Sequence, residues 1–96
     1  MKIKEALYSK SRNLEVVGTV TKMEPFPLGS KRLVKATLED ETGSIILNLW
    51  GNQADQCRVG DVVRVREAYI KVRNGTPELN TWRDIEVLKS NKQGNC

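Results

Sequence analysis

The sequence predicts an all-β fold: a five-stranded closed barrel with a short helix between strands three and four. Three observations carry that reading. Five segments alternate apolar and polar residues with period two and are separated by turn-forming residues. At 96 residues the chain is one domain, just large enough for a single hydrophobic core. Five open strands would leave unpaired edges, and closing the sheet removes them.

Each element follows from its residues. In "LEVVGTVTKM", Leu14, Val16, Gly18 and Val20 share the core face. A glycine inside a strand marks a bulge or sharp bend, so Gly18 predicts a coiled strand that serves two sheets. "EPFPLGSKR" holds two prolines and a glycine and reads as a flexible loop. The second strand, "LVKATLED", turns Val34, Ala36 and Leu38 inward and Lys35 and Thr37 outward. "DETGS" is a tight turn into the third strand, which sends Ile45, Leu47 and Leu49 to the core.

"GNQADQC" is too short for a packed helix of normal length and predicts a brief helical plug that tucks Ala54 or Cys57 under the barrel. "VGD" then turns into a long fourth strand. Val63 and Val65 face inward there and, after a bulge near Glu67 and Ala68, Ile70 and Val72 do. "RNGTP" is a hairpin loop, because Asn-Gly supplies the positive φ angles such turns need. The fifth strand, "ELNTWRDIEVL", buries Leu79, Ile85 and Val87. The domain is expected over 1–88, and the polar residues 89–96 as a short disordered tail. This order of elements is that of an OB-fold barrel.

Composition narrows the chemistry. The chain has no histidine, so the usual general base and the commonest metal ligand are missing. Cys57 and Cys96 are too few and too far apart in sequence to suggest zinc. No Gly-rich phosphate loop is present. The expectation is a non-enzyme without metal or cofactor. Lys and Arg outnumber Asp and Glu by 16 to 12, a net charge of +4, which favours an anionic partner. No apolar run approaches the ~20 residues that span a bilayer. "MKIKEALYSKS" lacks the apolar core of a signal peptide, so an intracellular protein is expected, in cytoplasm or nucleoid if prokaryotic.

The outward parity gathers a second set of residues. Lys35 and Thr37 come from strand two, Ile46, Asn48 and Trp50 from strand three. Tyr69, Lys71 and Arg73 follow from strand four, Asn80 and Trp82 from strand five. Phe26 stands in the first loop with Lys31 and Arg32 close by. Aromatics among cations and amides suit single-stranded nucleic acid. Bases stack on the rings, phosphates meet the cations, and Asn48 and Asn80 are expected to hydrogen-bond base edges.

The stretch "DETGSIILNLWGNQADQCRVGDVVRVREAY", followed by "NGTPELN", resembles the OB-folds of archaeal single-stranded DNA-binding proteins and replication protein A. The resemblance covers about Ile3 to Leu88, and its specific motif runs from Asp40 to Asn80. It implies that Trp50 is the family's stacking aromatic and Tyr69 a second one. Arg73 falls where some members have Phe, and Ile46 replaces a common Lys or Arg. Both departures imply weaker or differently shaped binding, and Trp82 is expected to compensate for the first. Simple members carry a long Gly-rich, acidic-tipped tail that recruits partners. This sequence ends at Cys96 without one, so either recruitment by that route is absent or a longer native tail has been removed.

The expected partner is therefore single-stranded DNA, bound with little sequence preference in replication, repair or recombination. RNA is the alternative within nucleic acids. From a different class comes an OB-fold subunit that binds another protein through Ile46, Trp50 and Trp82.

Overall fold

The computed structural model describes residues 2–9, 13–26, 29 and 32–90. Six strands form: β1 (Leu14–Pro25), β2 (Leu33–Asp40), β3 (Gly43–Trp50), β4 (Val62–Arg73), β5 (Thr76–Thr81) and β6 (Glu86–Lys89). The first five close in the order β1-β2-β3-β5-β4-β1, with β3 and β5 parallel and the other pairs antiparallel. This is the expected OB barrel.

Gly18 makes the closure possible. β1 pairs with β4 over its first half, up to Thr19, and with β2 from Thr19 onward. A Cβ at Gly18 would lie 2.9 Å from Leu38 Cγ and 3.0 Å from the Glu39 carbonyl oxygen. Only a bare backbone passes that closely at the point where the strand changes partners.

The inward faces are as the alternation predicts. Leu14, Val16, Val20, Ala36, Leu38, Ile45, Leu47, Leu49, Val63, Val65 and Leu79 are buried in one cluster, with Val34 and Ile70 packed against it. The expected β4 bulge is present: Ala68 pairs with Leu14 but Val65 with Val16, and the extra residue is taken up where Glu67 adopts φ +51°. Asn74 and Gly75, both at positive φ, make the hairpin turn.

Three expectations need correction. The single fifth strand is two, because the chain leaves the barrel after Thr81. There the Thr81 hydroxyl donates to the Arg66 carbonyl and accepts from the Arg83 N–H. The chain then returns as β6 beside the start of β4. β6 therefore lies outside the closed sheet, and Val87 is 37% exposed rather than buried, although Ile85 is buried. Val72 is 65% exposed, because the far end of the β4–β5 hairpin runs past the core.

The helix is the third correction. Between β3 and β4 stands only a one-turn 3-10 segment, Gly51–Asp55, and the chain's α-helix is α1 (Ile3–Leu7) at the N-terminus. Ala54 and Cys57 are both buried after β3, as the plug requires. α1 packs Ile3 and Ala6 into the core. Its free N–H groups are satisfied from the β2–β3 turn: Ile3 N–H donates to Asp40 Oδ2 at 2.8 Å and Lys4 N–H to Thr42 Oγ1 at 3.0 Å. Burial raises the Asp40 carboxyl, but hydrogen bonds from Thr42, Ile3 and Gly43 outweigh it and leave the group lowered.

Among the described residues, no helix is long and apolar enough to cross a membrane. Among them too, no group of three His, Cys, Asp or Glu side chains is placed to hold a metal ion. The Cys57 thiol is pushed up to about 11 by burial and then by Asp61, so it stays protonated. Cys96 and most of the expected tail lie outside the described residues.

Candidate nucleic-acid interface

The outward residues form cross-strand rows. Strand register sets Lys35, Asn48, Asn80 and Tyr69 in one row and Thr37, Ile46, Glu78 and Lys71 in the next. The parallel β3–β5 pair joins the two hairpins into this one surface. A groove of about 740 Å³ opens on it, lined by Trp50, Tyr69, Lys71, Arg73 and Trp82, with Asn48, Glu78 and Asn80 below.

The three predicted aromatics do come together. Tyr69 and Trp82 lie with ring centroids 6.1 Å apart and planes tilted by 31°. Trp82 is 86% exposed, so its side of this pair is open to solvent. Trp50 is half-buried, and its indole N–H donates to Asn80 Oδ1 at 3.2 Å. Such rings offer flat apolar area to a base without rearrangement.

Sequence reasoning missed the glutamines that carry the Trp82 segment. Gln53 Nε2 donates to the Thr81 and Arg83 carbonyls at 2.8 and 2.9 Å. Gln56 Oε1 accepts from the Ile85 N–H at 2.7 Å, and its Nε2 donates to Asp84 at 3.0 Å. Both come from the 3-10 segment and the residue after it, so that short element positions Trp82. Their only signal was polarity in a stretch read as a brief helical plug for Ala54 or Cys57.

Asn48 and Asn80 depart from expectation. They are 3% and 5% exposed and bond to each other rather than facing solvent. Asn48 Nδ2 donates to Glu78 Oε1 at 2.9 Å and to Asn80 Oδ1 at 3.2 Å. Lys35 Nζ donates to Glu78 Oε2 at 2.9 Å and to Asn48 Oδ1 at 3.2 Å. Buried polar groups require partners, and the network supplies them.

Glu78 is the third residue missed, although it shares parity with Asn80 and Trp82 and so was legible. Burial pushes its carboxyl up. Hydrogen bonds from Asn48 and Lys35, with the charges of Lys35 and Arg73, more than reverse this, and the group sits below its usual range. A carboxylate at the centre of a basic, aromatic face is the least expected feature of the site.

The cations divide into engaged and free. Lys35 is held by Glu78, and its ammonium lies 5.2 Å from the Phe26 ring centroid, a cation–π distance that ties the first loop to the face. Arg32 forms a two-point pair with Asp55 at 2.8 and 2.9 Å, both side chains exposed. Lys71 and Arg73 are exposed and, among the described residues, stand outside the ion pairs. Ile46 is half-buried and borders a separate hollow beside Leu7 and Pro77 rather than the groove. Lys31 lies outside the described residues.

Over 66 residues the chain is 29% identical to the single-stranded DNA binding protein Ssb of Saccharolobus solfataricus, a match covering 69% of this chain and 45% of that protein. The chain thus spans less than half that relative's length. Its fold is similar to the OB domain of a Thermoplasma acidophilum protein (TM-score 0.75, 24% identity, 95% of this chain and 86% of that one). It also resembles the replication factor A related protein of Methanobacterium thermoautotrophicum (TM-score 0.69, 23% identity, 85% and 84%). A third similar structure is the second OB-fold domain of replication protein A from Methanococcus maripaludis (TM-score 0.67, 23% identity, 92% and 95%). At such identities these likenesses establish the fold. Residues 14–88 match the tRNA anti-codon family, described as the OB-fold nucleic acid binding domain, and the chain belongs to it.

Proposed function

We propose that this domain binds single-stranded DNA by base stacking and phosphate contacts, as a non-enzymatic component of replication, repair or recombination. One observation carries the reading: Trp50, Tyr69 and Trp82 line one open groove with the exposed cations Lys71 and Arg73. Aromatic rings stack bases of any identity, and a single OB barrel of this size covers roughly 4–6 nucleotides. The relative named for single-stranded DNA binding supports DNA over RNA. A protein-binding reading has one observation in its favour, the 86% exposure of Trp82. The exposed cations at the rim and the ionised Glu78 below weigh against an apolar interface.

The test is intrinsic tryptophan fluorescence during titration with oligo-dT and oligo-U at two salt concentrations. Salt-sensitive quenching by dT that exceeds quenching by U is expected. Stronger quenching by U assigns the face to RNA, and no quenching by either overturns the nucleic-acid reading.

A further inference from the structure

The floor of the groove is not neutral toward bases. Both Asn48 amide hydrogens are used, one on Glu78 and one on Asn80, and Asn80 Oδ1 accepts from both Asn48 and Trp50. Each Glu78 carboxylate oxygen accepts one hydrogen bond, Oε1 from Asn48 and Oε2 from Lys35. A carboxylate oxygen accepts about two, so the two oxygens retain acceptor capacity side by side. Asn80, bonded to the Trp50 indole, is also the cross-strand neighbour of Tyr69. Glu78 lines the same groove as both rings, and its side chain keeps 10% of its surface exposed.

We propose that Glu78 makes this subsite selective for a base whose Watson–Crick edge presents adjacent N–H donors, guanine above all, and unfavourable to thymine and uracil. Guanine offers N1–H and the N2 amino group together, a two-point match to one carboxylate. Cytosine and adenine offer one amino donor next to a ring acceptor, and rank between. Thymine and uracil offer a single N–H flanked by two carbonyl oxygens, which face the carboxylate with like partial charge. The selectivity belongs to one subsite and leaves stacking elsewhere sequence-tolerant. It rests on the reading above that the groove takes single strands.

The experiment compares short oligo-dT with the same strand carrying one central dG, dC or dI, followed by tryptophan quenching at fixed salt. Inosine lacks the N2 amino group, so it tests the contact without altering the protein. The dG strand is expected to bind about 5- to 100-fold tighter than oligo-dT, the range of one good two-point base contact. The dI substitution is expected to lose most of that gain, and Glu78→Gln to flatten the series. Equal affinity for dT, dI and dG strands with clear quenching overturns this proposal and leaves single-strand binding intact. A Glu78→Gln protein that keeps the dG preference overturns it as well. No quenching by any strand removes the nucleic-acid reading itself.

Discussion

The Trp50 indole N–H donates to Asn80 Oδ1 at 3.2 Å, so this ring is fixed by the floor of the groove it lines. Asn80→Ala strands that N–H together with one amide hydrogen of Asn48. A loss of about 1–3 kcal/mol in stability is expected, the cost of buried donors left unpaired. Chemical denaturation measures it, and weaker base-induced quenching should accompany it.

Trp82 is the opposite case. With 86% of its surface exposed and one ring neighbour, it contributes little to folding. Trp82→Ala should cost under about 1.5 kcal/mol in stability, the upper worth of an aromatic pair. Affinity for oligo-dT should fall by about 1–3 kcal/mol, the worth of one stacked base. Thermal melts and binding curves on the same samples separate the two effects.

Free and engaged cations should differ in salt dependence. Each phosphate neutralised on a single strand contributes about 0.7 to the slope of log K against log salt. Replacing both Lys71 and Arg73 by Ala should therefore flatten the slope by about 1.4. Arg32→Ala should change it less, because that guanidinium is already held by Asp55.

Gly18→Ala should destabilise the barrel by about 1–3 kcal/mol, the cost of overpacking. The new methyl would meet a side-chain branch point and a backbone oxygen, at 2.9 and 3.0 Å, and the backbone has little room to yield. The midpoint of urea unfolding reads the change.

Glu78 also predicts a pH dependence. Its folded-state carboxyl is lowered from the ordinary 4.5, so its stabilisation is fully present above that value. That stabilisation is lost as pH falls through the lower folded value. Urea unfolding between neutral pH and pH 3 should show a shallower decline for Glu78→Gln than for the native chain. Asp40, lowered by its hydrogen bonds, and Asp55, lowered by Arg32, should add further acid sensitivity.

What was legible in the sequence was local. Strand faces, the Asn-Gly turn, the bulge at Glu67 and the crossing at Gly18 each depend on residues adjacent in the chain. The break after Thr81 was not, because it depends on Gln53 and Gln56 reaching across from another element. α1 is five residues long and held by Asp40, 37 positions away, so no periodicity announced it. In the site, parity placed the aromatics on one face but could not tell a solvent amide from a buried one. Asn48 and Asn80 are sealed only because β3 runs parallel to β5, a pairing between strands distant in sequence. Glu78 meets Lys35 and Asn48 through that same pairing.

The most direct test follows the indole N–H resonances of the two tryptophans by two-dimensional NMR as oligo-dT is added. Both should shift together with the backbone amides of Tyr69 and Lys71, and saturate at one common concentration. Shifts centred instead on β6 or Val59, with both indoles unmoved, would contradict a single-strand site in this groove.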